Sequence, residues 1–310
     1  MTTQVPAIRA VAAPASIARI GGQRGMPRGQ QLVLQLICLA IAMTVLFPIV
    51  WVVAMSLDPR NISRPDSLFP PGASLAAYAK VIVRPTLNDI SFLRLALNSV
   101  GIAVVISLGS VTIGSMAAYA FSRLKFRGRE VLMIGVLAVL MLPAVATIAP
   151  LFVQLNKIQI GTVNLRASLI GVALAVTSSQ LPFAIWNIKG YLDTIPRELE
   201  EAASIDGASR FQTFIQVILP LATPVLAVTA FFGFIAGWTE FYFSSVFLTG
   251  NSDLTTLAMA LNGMVGQYAA STPWSQFAAF SVLVALPVSV VYLFLQRYII
   301  SGLTVGGVKG

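Results

Sequence analysis

The stretch that decides how the chain is interpreted is residues 195–220, IPRELEEAASIDGASRFQTFIQVILP, the most polar long segment of a hydrophobic sequence. A proline and three glutamates stand in its first turns, as is common where a helix begins. Its apolar positions recur at helical spacing, and they are Ile195, Leu199, Ala202 and Ala203. Gly207 stands where the residue after a helix end is expected. The stretch therefore predicts a short amphipathic helix with one thin apolar side.

The charge of this stretch distinguishes between two kinds of amphipathic helix. A helix that lies on a membrane surface is usually rich in Lys and Arg, because the cytoplasmic leaflet is anionic. In this stretch and the two residues before it, the acids Asp193, Glu198, Glu200, Glu201 and Asp206 outnumber the bases Arg197 and Arg210. An anionic surface repels such a helix, so the composition favours docking into a complementary groove of a protein partner.

The spacing of the stretch resembles a known motif. Glu201-Ala202-Ala203, three residues, Gly207, nine residues and Val217-x-Leu219-Pro220 is similar to the EAA loop of permease subunits of binding-protein-dependent ABC importers, Glu-Ala-Ala-x3-Gly-x9-Ile-x-Leu-Pro. The one departure, Val217 for Ile, removes a methylene from an apolar position. Within the family the chain resembles the MalG-type subunits of maltose and other oligosaccharide importers, because residues 302–310 read GLTVGGVKG.

This resemblance implies a fold and a mode of action. The fold is the all-α type I importer permease, with six transmembrane helices and a cytoplasmic coupling helix between helices 4 and 5. The residues that it assigns to ATPase coupling are Glu201, Ala202, Ala203, Gly207, Leu219 and Pro220. The C-terminal tail of such subunits reaches the ATPase dimer interface, and the segment near residues 251–273 reaches the binding protein.

The same resemblance implies partners and cargo. The partners are a second, MalF-like permease, two ATPase subunits that hold ATP and Mg, and an extracytoplasmic substrate-binding protein. The cargo is a sugar of the maltose, maltodextrin or trehalose type. The same machinery carrying a polyol or glycerol phosphate stays an alternative.

Composition independently indicates an integral membrane protein. Hydrophobic residues make up 57% of the chain and charged ones 10%, and the mean hydropathy is +0.85, outside the range of soluble domains. The net charge of +9 fits basic cytoplasmic loops, so nucleic acid is not expected as a partner. One cysteine, Cys38, and the lack of histidine argue against disulfides, metal sites and His-based catalysis. No catalytic, metal or cofactor-binding residue is predicted, nor an enzyme activity.

Hydropathy divides the chain into a tail, a six-span domain and a second tail. Residues 1–31 carry four arginines and no acid and predict a disordered basic tail. Residues 32–300 are expected to form the permease domain that the resemblance implies, with its EAA loop at 190–216, and residues 301–310 the cytoplasmic C-terminal tail. Polar loops are expected at 56–94 and 240–276. The expected spans are 32–55, 95–121, 131–155, 165–188, 217–238 and 277–295.

Basic residues set the expected orientation in the membrane. They concentrate in the N-terminal tail, in the loop 123–129 and around the EAA loop. We therefore expect both termini and the EAA loop in the cytoplasm, with the protein in the inner or plasma membrane of a bacterial or archaeal cell.

Active transport needs a source of free energy, either an ion gradient or ATP. An ion-coupled carrier keeps ionisable residues within its spans, whereas Lys189, Glu240 and Arg297 fall near predicted span ends; Glu240 is the one candidate for ion coupling. The nearest match to a P-loop, Gly302-x4-Gly307, lacks the Lys and Ser or Thr that must follow directly. ATP is therefore expected on a separate subunit. An intramembrane enzyme, the remaining alternative, would need a nucleophile with a base or a metal cluster inside the spans, and the lack of histidine argues against it.

Three further patterns leave alternatives open. Ser110, Gly114 and Ala118 either let two helices approach closely or arise by chance in an alanine-rich span. Prolines at 143, 150 and 182 either line a passage or are ordinary kinks. Aromatic residues either stack on sugars, contact a binding protein or anchor the membrane interface; they are Trp238, Phe241, Tyr242, Tyr268 and Trp274.

Overall fold

The computed structural model describes residues 27–86, 89–265 and 272–306. The α-helices in these ranges are α1 Arg28–Leu57, α2 Ala76–Val83, α3 Phe92–Arg123, α4 Arg129–Val139, α5 Ile148–Asn156, α6 Leu169–Leu192, α7 Glu198–Ile205, α8 Arg210–Thr213, α9 Leu219–Leu221, α10 Thr223–Trp238, α11 Tyr242–Phe247, α12 Leu257–Gly263 and α13 Trp274–Gly306. Shorter segments are 3₁₀ turns at Ala144–Thr147 and Ser252–Leu254 and a π turn at Phe214–Ile218. The hairpin β1 Gln159–Ile160 and β2 Val163–Asn164 is antiparallel, with Gln159 opposite Asn164.

The described residues contain five helical stretches long and apolar enough to cross a membrane. They are Arg28–Leu57, Phe92–Arg123, Leu169–Leu192, Thr223–Phe247 and Trp274–Tyr298. Two shorter helical pieces, Arg129–Val139 and Ala144–Asn156, meet at an angle of 103°. Counted as one broken span, this pair completes the six predicted spans.

The break in the third span corrects a predicted boundary. Residues 131–155 were expected to form one kinked span, but α4 ends at Val139 and the chain turns sharply before Ala144. Pro143 stands at the turn; it has no N–H to donate and disfavours helical geometry in the residue before it. The proline therefore separates two helices instead of bending one.

Two compact units divide the chain between Ile49 and Val50. The described part of the first unit is α1 up to Ile49. The helix α1 has 30 residues and a length of about 45 Å at 1.5 Å per residue, which exceeds a hydrocarbon core of about 30 Å. The second unit holds the remaining helices.

Within the second unit, α3 packs against α6 and α10. Gly237 and Gly233 of α10 lie directly on the α3 backbone: a Cβ atom would stand 2.4 Å from Ala103 Cα and 2.9 Å from Ser107 Cα. On α3, a Cβ at Gly114 would stand 3.0 Å from Ala184 Cβ of α6. Glycine is required at the two α10 positions because any side chain there would separate the helices.

The predicted small-residue pattern on α3 marks a helix interface. Ser110, Gly114 and Ala118 are all buried, and Gly114 faces α6. Of the two interpretations that the sequence left open, close helix approach is therefore the correct one. Larger side chains fill the space on either side, with Ile102, Ile106 and Ile188 fully buried.

Several predicted boundaries shift. The helix α1 begins at Arg28, four residues before the predicted start at Leu32. Residues 28–31 contain no proline, and Gly29 stands in the first turn, where its low helix propensity matters less than in a helix interior. Residues 1–26 of the predicted tail lie outside the described residues. The helix α13 runs on to Gly306, so the predicted tail 301–310 begins as helix, and residues 307–310 are not described. The expected loops contain α2, α11 and α12.

Polar groups hold a loop to the first turns of α3. Asn98 Nδ2 donates to the carbonyl oxygens of Asp253 and Thr255 at 2.8 and 2.9 Å. The Leu257 N–H donates to Ser99 Oγ at 3.0 Å. The segment before α12 is therefore fixed to this end of α3.

A charged group, which we call the Asp58 cluster, lies between α1 and α2; its members are Asp58, Arg60, Asn61, Asp66 and Ser275. The Arg60 guanidinium donates to Asp58 at 3.0 and 2.8 Å and to Asp66 at 2.7 Å. The Ser275 N–H donates to Asn61 Oδ1 at 3.0 Å, which ties the loop to α13. The hydrogen bond from Arg60 lowers the pKa of Asp58, against the opposing effect of desolvation.

Candidate coupling site

The predicted coupling helix is present as α7, Glu198–Ile205. Three glutamates occupy its first turn, where the positive end of the helix dipole stabilises them. Gly207 follows the helix with φ +86°, and its N–H donates to Ser204 O at 3.1 Å. The Ala208 N–H donates to Ala203 O at 2.9 Å. This left-handed ending confirms the predicted role of Gly207 as the residue that stops the helix.

The chain after Gly207 builds the rest of the motif. Ser209 Oγ accepts the Gln212 N–H at 3.3 Å, and Gln212 Oε1 accepts the Ser209 N–H at 2.8 Å, which together form a capping box for α8. The π turn Phe214–Ile218 follows directly and leads into α9, which contains Leu219 and Pro220. The predicted motif thus ends at the entry to the fifth span.

An ion pair attaches α7 to the end of α3. The guanidinium of Arg123 pairs with the carboxylate of Glu200 through Nε and Oε1, and the two side chains are 6% and 17% exposed. Tyr119 Oη donates to Glu200 Oε2 at 3.1 Å, and Arg123 Nη2 donates to Ile195 O at 2.8 Å. Removing one partner of such a shielded pair leaves the other charge uncompensated.

A second carboxylate, at the end of α6, fixes the segment before α7 to the same end of α3. Ser122 Oγ and Lys189 Nζ each donate to Asp193 at 2.6 Å, and Arg197 Nη2 donates to Ser122 O at 3.3 Å. Desolvation raises the pKa of Asp193, but the hydrogen bonds from Lys189 and Ser122 outweigh it, so the pKa is lowered. We call Tyr119, Ser122, Arg123, Asp193 and Glu200 the coupling cluster.

The outward side of α7 is open. Ile205 is 86% and Leu199 43% exposed, and Glu201 and Ala202 are also exposed while Ala203 is half-buried. Ile195 is buried and precedes the helix, so it does not belong to the predicted apolar side of α7. It instead packs with Leu192 and Ile218. The exposed apolar surface is therefore smaller than predicted and centred on α7 itself.

The residues that hold α7 in place were missed from the sequence. Arg123, Tyr119 and Ser122 were seen only as the end of a span and the start of a basic loop. Their partners lie 71 to 81 positions away in the chain, and helical periodicity carries no information on such pairs. A basic residue at the end of one span and an acid-rich loop elsewhere were the available signal.

Glu240, the candidate for ion coupling, has a structural role here. It lies within the stretch Thr223–Phe247, not near the end of a span as predicted, because α11 extends the span beyond Trp238. Its carboxylate is buried and accepts the N–H groups of Phe243 and Ser244 at 2.9 and 2.8 Å and Ser244 Oγ at 2.6 Å. These bonds satisfy the free N–H groups at the start of α11.

The aromatic candidates divide between core and surface. Trp238 is 1% exposed, donates its indole N–H to Val284 O at 3.0 Å and stacks on Phe234. It belongs to the core, so it offers no face to a sugar. Tyr242 is 61% exposed, and Tyr268 lies outside the described residues.

Comparison with known families decides what this arrangement belongs to. Residues 110–305 match the model of the family described as "Binding-protein-dependent transport system inner membrane component". The chain belongs to this family. It is a permease, the membrane component of such a transport system, and the matched region includes α7 and the coupling cluster.

Relatives extend the likeness over nearly the whole permease. This permease is 37% identical over 274 residues to the trehalose/maltose transport system permease protein MalG of Thermococcus litoralis. The alignment covers 87% of this chain and 94% of that protein. The permease is 35% identical over 274 residues to the maltose/maltodextrin transport system permease protein MalG of Photorhabdus laumondii, covering 86% and 91%.

A solved structure shares the fold. A chain in the crystal structure of a bacterial ABC transporter involved in the import of the acidic polysaccharide alginate aligns with a TM-score of 0.71, at 23% identity, over 88% of this permease and 98% of that chain. The predicted type I importer permease fold is thereby confirmed.

Proposed function

We propose that this permease is one subunit of an ATP-driven importer of maltose- or trehalose-type sugars, and that a separate ATPase docks on α7 to drive alternating access. The observation that carries the proposal is the asymmetry of α7. Glu200 on one side is fixed to α3 through Arg123, while Leu199, Ala202 and Ile205 on the helix remain exposed. A helix so arranged receives a partner on one side and transmits force on the other.

The coupling cluster gives this force a route into the membrane. Arg123 and Ser122 are the last residues of α3, so displacement of Glu200 or Asp193 acts directly on that helix. The close contacts of Gly233 and Gly237 with α3 pass the displacement to α10. The nucleotide chemistry that drives this displacement is assigned to the partner ATPase.

The partners and orientation follow from the same proposal. One α7 serves one ATPase subunit, so a second permease, two ATPase subunits with ATP and Mg, and an external substrate-binding protein complete the assembly. Both termini and α7 face the cytoplasm of a bacterial or archaeal cell. Sugar is favoured as the cargo because the relatives named above are maltose and trehalose permeases.

An Ala203→Trp variant tests the docking surface. Ala203 is half-buried near the end of α7, and an indole there would hold a partner away from the helix. We expect sugar uptake into proteoliposomes containing the whole assembly to fall roughly 10-fold or more, the range of a typical coupling free energy. The ATPase activity should lose its stimulation by binding protein and sugar.

The control is Ala79→Trp, at an exposed position of α2 away from the coupling site, and it should leave uptake and ATPase stimulation unchanged. Unchanged uptake and unchanged ATPase stimulation in Ala203→Trp would reject α7 as the docking surface. Uptake that persists without ATP and stops when ion gradients are collapsed would reject ATP-driven transport altogether.

A further inference from the structure

A basic cavity and an apolar groove lie side by side where α3 ends. The cavity, of about 500 Å³, lies between the end of α3, α7 and α8. The groove, of about 270 Å³, lies between the last turns of α3 and the segment 210–214. Tyr119, Leu124 and Arg210 line both. The two spaces therefore form one continuous amphipathic site.

The cavity carries an excess of positive charge. Its charged lining consists of Arg123, Lys125, Arg197, Arg210, Glu200 and Glu201, four cations against two carboxylates. Arg123 is already paired with Glu200. In the part of the chain that the structure describes, the ammonium of Lys125 and the guanidinium of Arg210 form no ion pair with a carboxylate. These two groups are available to an anion.

The groove has the opposite character. Met116 and Ala120 of α3 line it together with Phe211 and Phe214. Met116 is 57% and Phe211 70% exposed, so the groove offers open apolar surface. It lies along the last turns of a helix long and apolar enough to cross a membrane, and the ends of such helices meet the lipid headgroups. Water is a poor occupant of such a surface.

We propose that this site binds an anionic diacyl phospholipid, with the phosphate between Lys125 and Arg210 and one acyl chain along Met116, Ala120 and Phe211. Basic pockets between membrane helices bind acidic headgroups in this way. Arg210 lines both spaces, so it marks the junction of headgroup and chain. The bound lipid would contact Tyr119, which is a member of the coupling cluster. The lipid composition of the membrane would therefore affect the attachment of α7 to α3.

Photolabelling of the full chain in its purified native assembly tests the site. The assembly is placed in lipid nanodiscs with phosphatidylglycerol or phosphatidylcholine that carries a photoactivatable group on one acyl chain. We expect phosphatidylglycerol to label the peptides containing Met116 and Phe211 in preference to phosphatidylcholine. Lys125→Gln and Arg210→Gln should each lower this preference roughly fivefold, the effect of one cation at a membrane surface.

Two controls separate the charge from the groove. Arg127→Gln removes an exposed cation of the same loop that lines neither space, and it should leave the preference unchanged. Ala120→Phe fills the groove while keeping every cation, and it should abolish labelling by both lipids. Ile113→Phe, at a position of α3 that is 50% exposed and outside the groove, should not.

Each remaining outcome overturns the proposal. These outcomes are equal labelling by the two lipids, competition by soluble glycerol phosphate as effective as that by phosphatidylglycerol, or labelling seen only after the other subunits are removed, which would identify a protein as the occupant. The unmodified assembly provides a test independent of variant folding. Added salt screens the cations, so the preference for phosphatidylglycerol must fall as ionic strength rises, and a salt-independent preference contradicts the proposal.

Discussion

The coupling cluster and the Asp58 cluster occupy opposite ends of the helical unit and use the same chemistry differently. In both, an arginine pairs with carboxylates. Arg60 pairs with Asp58 and Asp66, two and six positions away, whereas Arg123 pairs with Glu200, 77 positions away. The first cluster shapes its own loop and ties it to α13. The coupling cluster joins α3 to α7 and leaves the other side of α7 exposed to a partner.

The Asp58 cluster therefore holds one loop in place, whereas the coupling cluster links α3 to a helix that a partner can displace. The Asp58 side chain is 0% exposed, and its loop is tied to α13 through Ser275. Glu200 lies on a helix whose other side is open. Damage to the Asp58 cluster should therefore reduce the amount of folded protein, while damage to the coupling cluster should leave the protein in the membrane without effective transport.

The largest expected effect comes from Arg123→Met compared with Arg60→Met. Arg123→Met leaves Glu200 shielded without its partner, which costs roughly 3–5 kcal/mol where a buried pair is broken. We expect uptake per assembled transporter to fall roughly 10-fold or more while ATP hydrolysis continues. Arg60→Met should lower the yield of folded protein and keep the ratio of sugar transported to ATP hydrolysed. Equal ratios in the two variants would remove the distinction between the clusters.

A smaller effect is expected from Gly207→Ala compared with Gly72→Ala. The two glycines have φ values of +86° and +71°, and an added Cβ would meet nothing within 4 Å at Gly207 and only Pro59 Cγ at 3.8 Å at Gly72. Each substitution therefore introduces similar backbone strain, about 1 kcal/mol. Only Gly207→Ala alters the end of α7, so only it should reduce coupled uptake, by roughly fivefold if the strain is borne by docking. Reduced coupling in Gly72→Ala would show that strain anywhere has this effect.

The smallest effect concerns acid pH. The folded-state pKa values of Asp193 and Asp58 are both lowered, so their contributions to stability are present above the unfolded value of about 3.9 and are lost as pH falls through the folded values. Asp193 is 42% exposed, so its contribution is below about 1 kcal/mol.

Hydrogen exchange checks this prediction. After correction for the intrinsic pH dependence of exchange, the amides of residues 193–205 should lose protection below about pH 4. Asp193→Asn should show the weaker protection at neutral pH as well. Protection of the unmodified protein that is the same at about pH 3, below the unfolded value of about 3.9, and at pH 7 would contradict a role for the Asp193 carboxylate.

The sequence predicts features whose physical cause is local. Residues 195–220 contain the acids at the helix start and the glycine at its end, and each acts within four positions of itself. The spans are predictable because a membrane demands long apolar helices. Gly114 and Ala118 mark an interface because only small side chains permit close helix approach.

Other features depend on partners distant in the chain. The pairing of Arg123 with Glu200 and the contact of Gly237 with Ala103 arise from the packed arrangement of α3, α6 and α10. Glu240 was predicted near a span end because hydropathy falls after Trp238. Its carboxylate instead accepts the free backbone N–H groups at the start of α11, which lets the span continue. The 103° turn near Pro143 was expected as a kink, since a proline fixes where a helix is interrupted but not the angle.

The length of α3 has a geometric consequence. About 25 residues separate Asn98, which holds the segment before α12, from Arg123, a span of roughly 37 Å at 1.5 Å per residue. A rigid rod of that length, tilted by about 5° around its Arg123 end, carries Asn98 sideways by about 3 Å. A hydrogen bond tolerates only a few tenths of an ångström, so a small tilt of α3 at its Arg123 end is sufficient to release the loop that Asn98 holds at the other end.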